Sequence, residues 1–439
     1  MKGEILRREL LKSVGLLSGA LLLGKGINMN IDSVNHLRNQ KVGKNWYEFG
    51  FIDPILDQVF LFYLSHTWQR LADVGKVLQT VSRVDMKNPY SWPEEWIKTA
   101  ERIEKLGKEF ESAGHRISAG ECYLRSSNYF IAALHRYPSP YNKKIRKIAT
   151  RSFNNYKKGI KLLDLPVEVV NIPYNGKSLP GYLYKADVRG KAPILIVHQG
   201  RDAWAEQCKY IGESAIKRGI HCLIFDGPGI GKGLRMLGLP FRHDWEKVIS
   251  PVVDFVSNLE FVDKKKIGLM GVSMGGALVP RAAAYESRIN FCIANPGVVS
   301  WSDVITGYLN QMIPDFDKQF KRGREYFNSL INEMAEKVPL VKWGIADTMW
   351  KHGVNNPYDL IIELKKYTNE GIVDKIKCKF LVVDSEKDEF SQAKLLYEKL
   401  RCSKDYLLFT SEEAAELHVQ TGSLGISNER IFSWIENVI

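Results

Sequence analysis

An α/β fold with a mainly parallel, doubly wound sheet and a helical domain in front of it is predicted by three features of the sequence. From Trp46 to Leu165 apolar residues recur three and four apart, the helical period. After Pro166 the pattern changes to short β-branched runs separated by helical stretches, which implies parallel strands joined by right-handed crossovers and covered on both faces. One such run, Ile267 to Gly271, breaks into Gly271-Val272-Ser273-Met274-Gly275 and then a stretch rich in small residues. Glycines two before and two after a serine relieve a crowded, strained corner, so the hydroxyl is held above the strand ends.

Taken in order, the first 26 residues differ from the rest. Arg7-Arg8-Glu9-Leu10-Leu11-Lys12 precedes the apolar run Val14 to Gly24, which is too short to span a bilayer. Segment 1–26 is read as a twin-arginine export signal, which gives transient membrane contact and a periplasmic or extracellular location. Read instead as a plain amphipathic helix, it leaves the protein in the cytoplasm. Residues 27–165 form a helical cap domain of about five helices, broken at Asn88-Pro89, Ser91-Trp92-Pro93 and Pro138-Ser139-Pro140. Residues 166–439 form the catalytic domain. It opens with a hairpin, Val167–Ile172 and Leu179–Tyr184, turning at Tyr174-Asn175-Gly176. Strands follow at Pro193–Val197, Cys222–Phe225, Ile267–Gly271, Phe291–Ala294, Phe380–Val383 and Tyr406–Phe409. The helical stretch at about 300–370 has no strand pattern and reads as a lid inserted over the pocket.

Bulk composition excludes several classes of function. The 439 residues carry a formal charge of +12, but the densest basic cluster, Lys143 to Lys147 with Arg151, Lys157, Lys158 and Lys161, has helical spacing beside Ile145, Ile148 and Phe153. That is a solvated helix face, not a nucleic-acid surface. Six scattered cysteines, Cys122, Cys208, Cys222, Cys292, Cys378 and Cys402, specify neither a disulfide framework nor a zinc site and read as buried thiols. His66, His115, His135 and His243 lack metal spacing, so no metal is expected. Asp226-Gly-Pro-Gly-Ile-Gly-Lys232-Gly233 is not a phosphate loop: the spacer would need a glycine at Asp226, and Gly233 stands where a magnesium-binding hydroxyl belongs.

The Gly-x-Ser-x-Gly corner between a strand and a small-residue helix is the nucleophile elbow of an α/β-hydrolase fold. A serine hydroxyl is weakly nucleophilic and needs a base, which itself needs an orienting carboxylate. Ser273 is the candidate nucleophile. Asp388 lies in the loop after the strand Phe380–Val383, with Asp384 at the strand end as the alternative acid. His418 is the only histidine after both carboxylates and completes the order nucleophile, acid, histidine. The oxyanion would be held by the amides of Met274 and, in the loop after Val197, Arg201, with Gly200 turning the backbone over the pocket. His198 is expected to pack or hydrogen-bond beneath that loop.

With these residues in hand, the chain resembles the FrsA-like branch of serine hydrolases, which includes dihydropseudooxynicotine hydrolase and hydrolases that shorten aromatic polyketides. The similarity runs from about Trp92 to the C-terminus, through Ser118-Ala-Gly-Glu-Cys-Tyr123-Leu-Arg-Ser-Ser127, Ile172-Pro-Tyr-Asn-Gly, Leu179-Pro-Gly-Tyr, Asp226-Gly-Pro-Gly-Ile-Gly, Gly271-Val-Ser-Met-Gly-Gly276 and Glu413-Ala-Ala-Glu-Leu-His418. The resemblance implies a helical domain closing over the pocket, a Ser/Asp/His triad, no cofactor, and dimers in many members. It also implies a pocket-bordering role for Asp202, orienting water or the leaving group. The sequence departs from the family where His198-Gln199-Gly200 replaces a common Gly-Gly pair and where Ser385 replaces the usual glycine before the acid loop.

The expected activity is cleavage of an ester, or of a carbon–carbon bond next to a ketone, in a hydrophobic or aromatic small molecule by way of an acyl-enzyme. Tyr123 and Tyr129 are candidate substrate contacts beside Gly200 and Asp202. Together with Trp92, Trp96 and Phe130 they equally fit a packed helical core. Two alternatives are a prolyl-oligopeptidase-like peptidase, disfavoured because no blade-like strand repeat precedes the hydrolase part, and a catalytically silent hydrolase fold that only binds.

Overall fold

The computed structural model describes residues 45–439, apart from 48, 50–53 and 86. The export-signal reading of 1–26 lies outside the described residues. Among those described, no helix is long and apolar enough to cross a membrane.

The cap comprises α1 (Pro54–Ser65), α2 (Val74–Val81), α3 (Ser91–Ser112), α4 (Arg116–His135) and α5 (Lys144–Leu162). Its core is aromatic: Trp92, Trp96, Tyr129 and Phe130 are buried together with Phe60 and Tyr63. On α5 the pattern works as expected, with Ile145, Ile148 and Ala149 buried and Lys144, Arg146 and Lys147 in solvent.

The catalytic domain is an eight-stranded sheet. Its strands are β1 (Val167–Tyr174), β2 (Lys177–Tyr184), β3 (Ala192–His198), β4 (His221–Phe225), β5 (Val262–Val272), β6 (Phe291–Asn295), β7 (Lys379–Ser385) and β8 (Lys404–Phe409), in the order β1-β2-β4-β3-β5-β6-β7-β8. The hairpin strand β2 pairs antiparallel with β4, and every pairing from β4 to β8 is parallel. Between strands lie α6 (Lys209–Lys217), α7 (Gly231–Arg235), α8 (Glu246–Ser257) and α9 (Gly275–Tyr285). The lid is α10 (Trp301–Met312), α11 (Phe316–Lys321), α12 (Arg324–Lys337), α13 (Pro339–His352) and α14 (Pro357–Leu364); α15 (Ala393–Lys399) and α16 (Leu424–Val438) complete the chain. Alternate residues of each strand feed opposite faces, as pleating requires. Ile194, Ile196, Leu223 and Leu269 face α8, α9 and the lid, whereas Leu195, Val197, Ile224 and Met270 face α6, α16 and the cap residues Tyr156 and Ile160.

Most strand ends differ from the sequence reading by a residue or two, and one boundary differs by more. Strand β5 begins at Val262, which pairs with Ala192 ahead of an irregularity in register. The intervening lysines 264–266 are solvent-facing or half-buried, so a strand start with charged residues escaped an apolar pattern. Four cysteines are buried, but Cys378 and Cys402 are only partly so.

The cap docks next to the histidine-bearing loop. The indole of Trp46 donates to Glu416 Oε1 at 2.9 Å, the amide of Gly422 donates to Ser65 Oγ at 3.0 Å, and Leu417 packs with Tyr47 and Leu61. The lid touches the cap as well, through the Trp343 indole donating to the Tyr137 carbonyl at 2.9 Å.

Candidate active site

Strand β5 delivers Ser273 at its carboxyl end in the left-handed region, φ 60°, a conformation that costs a non-glycine residue about 1–3 kcal/mol. The corner is held by the Ser273 amide donating to the Asn295 carbonyl at 2.6 Å. Gly271 is required by space, because a Cβ there would come within 2.2 Å of the Gly275 carbonyl oxygen.

The structure brings the three residues named from the sequence into one hydrogen-bonded chain. His418 Nε2 lies 2.8 Å from Ser273 Oγ, and His418 Nδ1 lies 2.8 Å from Asp388 Oδ2. The other carboxylate oxygen of Asp388 accepts from the Phe390 amide at 3.0 Å, which fixes the carboxylate plane. The alternative acid, Asp384, is engaged elsewhere: it accepts from its neighbour's amide and from Ser391 Oγ, at 2.9 and 2.5 Å, and from the Tyr406 hydroxyl.

The loop after β3 backs onto the elbow. A Cβ on Gly200 would lie 2.4 Å from the Met274 amide nitrogen, so only glycine lets this backbone approach so closely. His198 is fully buried under the loop, accepting from the Trp245 indole at 3.0 Å, and burial pulls its imidazole down to about 4. That is the packing role expected for it. The Arg201 side chain runs outward to the lid, where Nη2 donates to Asp347 Oδ2 at 2.7 Å and Thr348 Oγ1 at 2.9 Å. Asp202 Oδ1 accepts from Lys351 Nζ at 2.6 Å. Burial pushes this carboxyl up, but Lys351 and Arg201 outweigh it and hold it down at about 2.

Two substrate-contact candidates are corrected. Tyr123 is buried inside the helical module, its hydroxyl donating to Glu111 Oε2 at 2.8 Å and its ring under Lys158. Tyr129 stacks in the cap core near Trp96, and its hydroxyl accepts from the Asp73 amide at 2.9 Å. Both hydroxyls are used in holding cap helices and loops together, so the packed-core reading of the aromatic stripe describes them.

Several supporting residues were not visible in the sequence. Gln420, φ 54° and fully buried, donates to Asn295 Oδ1 at 3.1 Å and Ser385 Oγ at 2.8 Å, while the Asn295 amide donates back at 2.8 Å. This network ties the elbow, the acid strand and the histidine loop together. It also gives the serine at 385 a use that glycine could not serve. On the lid side, the Phe390 ring packs edge-on to His418 at 4.9 Å and stacks on Trp301 at 5.5 Å, while the Tyr308 hydroxyl donates to the Glu389 carbonyl at 3.0 Å. Helix α10 therefore braces the acid loop. No local sequence signal marks such partners, because each is chosen by a neighbour distant along the chain. Among the described residues there is no cluster of side chains that could hold a metal.

Comparison with known proteins shows the family of the chain. A family model described as Esterase FrsA-like matches residues 77–319, and one described as BAAT / Acyl-CoA thioester hydrolase C terminal matches 250–404. The chain is 30% identical over 397 residues to Hydrolase LUC6 of Fusarium sp, covering 83% of this chain and 92% of that protein. It is 29% identical to 20-hydroxy-prefusarin hydrolase FUS2 of Gibberella moniliformis, again covering 83% and 92%. The fold is shared with the crystal structure of 2,6-dihydroxy-pseudo-oxynicotine hydrolase, at TM-score 0.65 and 19% identity over 85% of this chain and 95% of that one. The chain is an α/β-hydrolase enzyme belonging to the FrsA-like esterase family.

Proposed function

We propose that this enzyme is a cofactor-free serine hydrolase that cleaves an ester, or a carbon–carbon bond next to a ketone, in a hydrophobic or aromatic small molecule. The observation that carries this reading is the unbroken chain from Ser273 Oγ through His418 to Asp388, each link 2.8 Å long. His418 takes the hydroxyl proton as Ser273 attacks the carbonyl, and Asp388 holds the ring so that Nε2 faces the serine. The Met274 amide, with a second donor from the loop at Gly200 and Arg201, receives the oxyanion. Collapse expels an alcohol from an ester, or from a β-diketone an enolate-type carbanion that takes its proton from His418. Water then releases the acid from Ser273. Support for a small-molecule substrate comes from the similarity to the fungal hydrolase named for 20-hydroxy-prefusarin.

A fluorophosphonate probe tests the nucleophile: folded protein labels at Ser273 and the Ser273→Ala variant does not. No labelling of the wild type returns the chain to the binding-protein alternative. Comparing aryl esters with β-diketones separates the two versions, since turnover of diketones alone selects carbon–carbon cleavage. The oxyanion assignment has its own check. Gly200→Ala forces a Cβ against the Met274 amide, and kcat is expected to fall by about 10²–10³-fold, the scale of a lost oxyanion donor. Unchanged kcat would place the second donor elsewhere.

A further inference from the structure

Arg235, the last residue of α7, is 6% exposed, and its Nη1 is buried without a hydrogen-bond partner. Its guanidinium lies over the rings of Trp204, at 5.1 Å, and Trp350, at 5.6 Å. Among the described residues no carboxylate is within ion-pair distance of it. The neighbouring acids are taken: Asp347 pairs with Arg201 at 2.7 Å and Lys351 at 2.9 Å, and Asp202 pairs with Lys351 at 2.6 Å. Arg201 Nη1 also lacks a hydrogen-bond partner, but unlike Arg235 it has a carboxylate oxygen, Asp202 Oδ1, at 3.8 Å. A buried cation with an open donor is costly, and side chains of this kind are otherwise paired.

The position is what gives that cost a use. Trp204 follows Gly200, which touches the elbow, by four residues. Trp350 belongs to the lid helix α13 and, with Met236, packs on the cap core. Arg235 therefore stands where the oxyanion loop, lid and cap meet. A guanidinium lying over aromatic rings keeps its in-plane N–H fork available, and that fork matches two oxygens of one planar group.

We propose that Arg235 is a specificity-determining residue that grips a planar oxyanion of the substrate, either a carboxylate or the enolate of a 1,3-dicarbonyl. The placement of the scissile bond rests on the serine-hydrolase reading; the anion site itself does not.

Calorimetric titration of the full-length protein, carrying Ser273→Ala throughout so that no β-diketone is turned over and either wild type or substituted at position 235, tests this with two pairs of ligands. The pairs are benzoate against benzamide, and benzoylacetone against its 2,2-dimethyl derivative, which has no hydrogen between its carbonyls and so cannot form the conjugated 1,3-dicarbonyl enolate. Wild type binds at least one acidic member more than tenfold tighter than its neutral partner, and which pair discriminates identifies the oxyanion. In Arg235→Gln that ratio collapses to near one. In Arg235→Lys, which keeps the charge but loses the fork, it falls several-fold. Equal binding of both members in wild type, or an unchanged ratio in Arg235→Gln, overturns the proposal. If Arg235→Gln does not fold, Arg235→Lys decides, and an unchanged ratio there overturns it. Failure of Ser273 to label would refute the serine mechanism while leaving these ratios readable.

Discussion

Asp388→Asn lowers kcat by about 10³–10⁴-fold while the protein stays folded. The histidine tautomer sets this loss. Asp388 Oδ2 accepts from His418 Nδ1 at 2.8 Å, which leaves Nε2 as the lone-pair nitrogen facing Ser273 Oγ. An asparagine can present its amide N–H at that place, reversing the tautomer and turning Nε2 into a donor that cannot accept the serine proton. Asp384→Asn is the control. It lies on the same strand–loop connection, but its oxygens serve Ser391, Tyr406 and a backbone amide, so kcat changes by less than about tenfold and any loss is in stability, about 1–3 kcal/mol for one damaged buried network. Measuring kcat for both variants on one aryl ester, alongside Ser273→Ala at about 10⁴-fold or more, decides the identity of the acid. Equal losses for the two aspartates would mean that the histidine is oriented by something other than Asp388.

The contrast between these two aspartates shows what the sequence could and could not carry. Loop position and order selected Asp388, and β3 to β8 lay under apolar runs because parallel strands buried on both faces leave continuous hydrophobic stretches, the charged start of β5 excepted; β1 and β2 were read as a hairpin. The elbow was legible since its glycines are demanded by backbone contact within five residues. Gln420 was not: it matters because Asn295 and Ser385 come to it from two other strands, and nothing near it in the chain announces that. Tyr123 and Tyr129 failed as pocket residues for a related reason. A helical stripe shows which face is buried but not whether the burying surface is a ligand or another helix, and here Glu111, Lys158 and Asp73 claim them. Asp202 sat in the right loop, yet its carboxylate is held by Lys351 from the lid, a partner nearly a hundred and fifty residues away.

Lys232→Met is expected to cost on the order of 3–5 kcal/mol of stability, the scale for breaking a buried ion pair from one side. Lys232 is 1% exposed, with Nζ 2.7 Å from both Glu206 oxygens and 2.5 Å from Asp226 Oδ2. Methionine fills the space and leaves two buried carboxylates facing each other. Burial already pushes the Glu206 carboxyl up, with Asp226 adding to it and Lys232 opposing it; without the lysine it rises further. A carboxyl raised in the folded state is a penalty that is fully present above its folded pKa and vanishes below the unfolded value of about 4.3. The loss in denaturation midpoint is therefore larger at pH 8 than at pH 5, and a constant loss across that range would show that packing, not charge, is at fault. Replacing all three residues by neutral ones of similar size restores most of the stability, because the desolvation cost goes with the charges. Activity is not restored with it. Asp226 Oδ1 also accepts from the Ala205 amide at 2.8 Å, so the cluster anchors the chain just after the loop that holds Gly200 against the elbow. The triple variant separates the two roles of this buried lysine, since stability depends on how its charge is balanced and catalysis on where its partner aspartate holds the oxyanion loop.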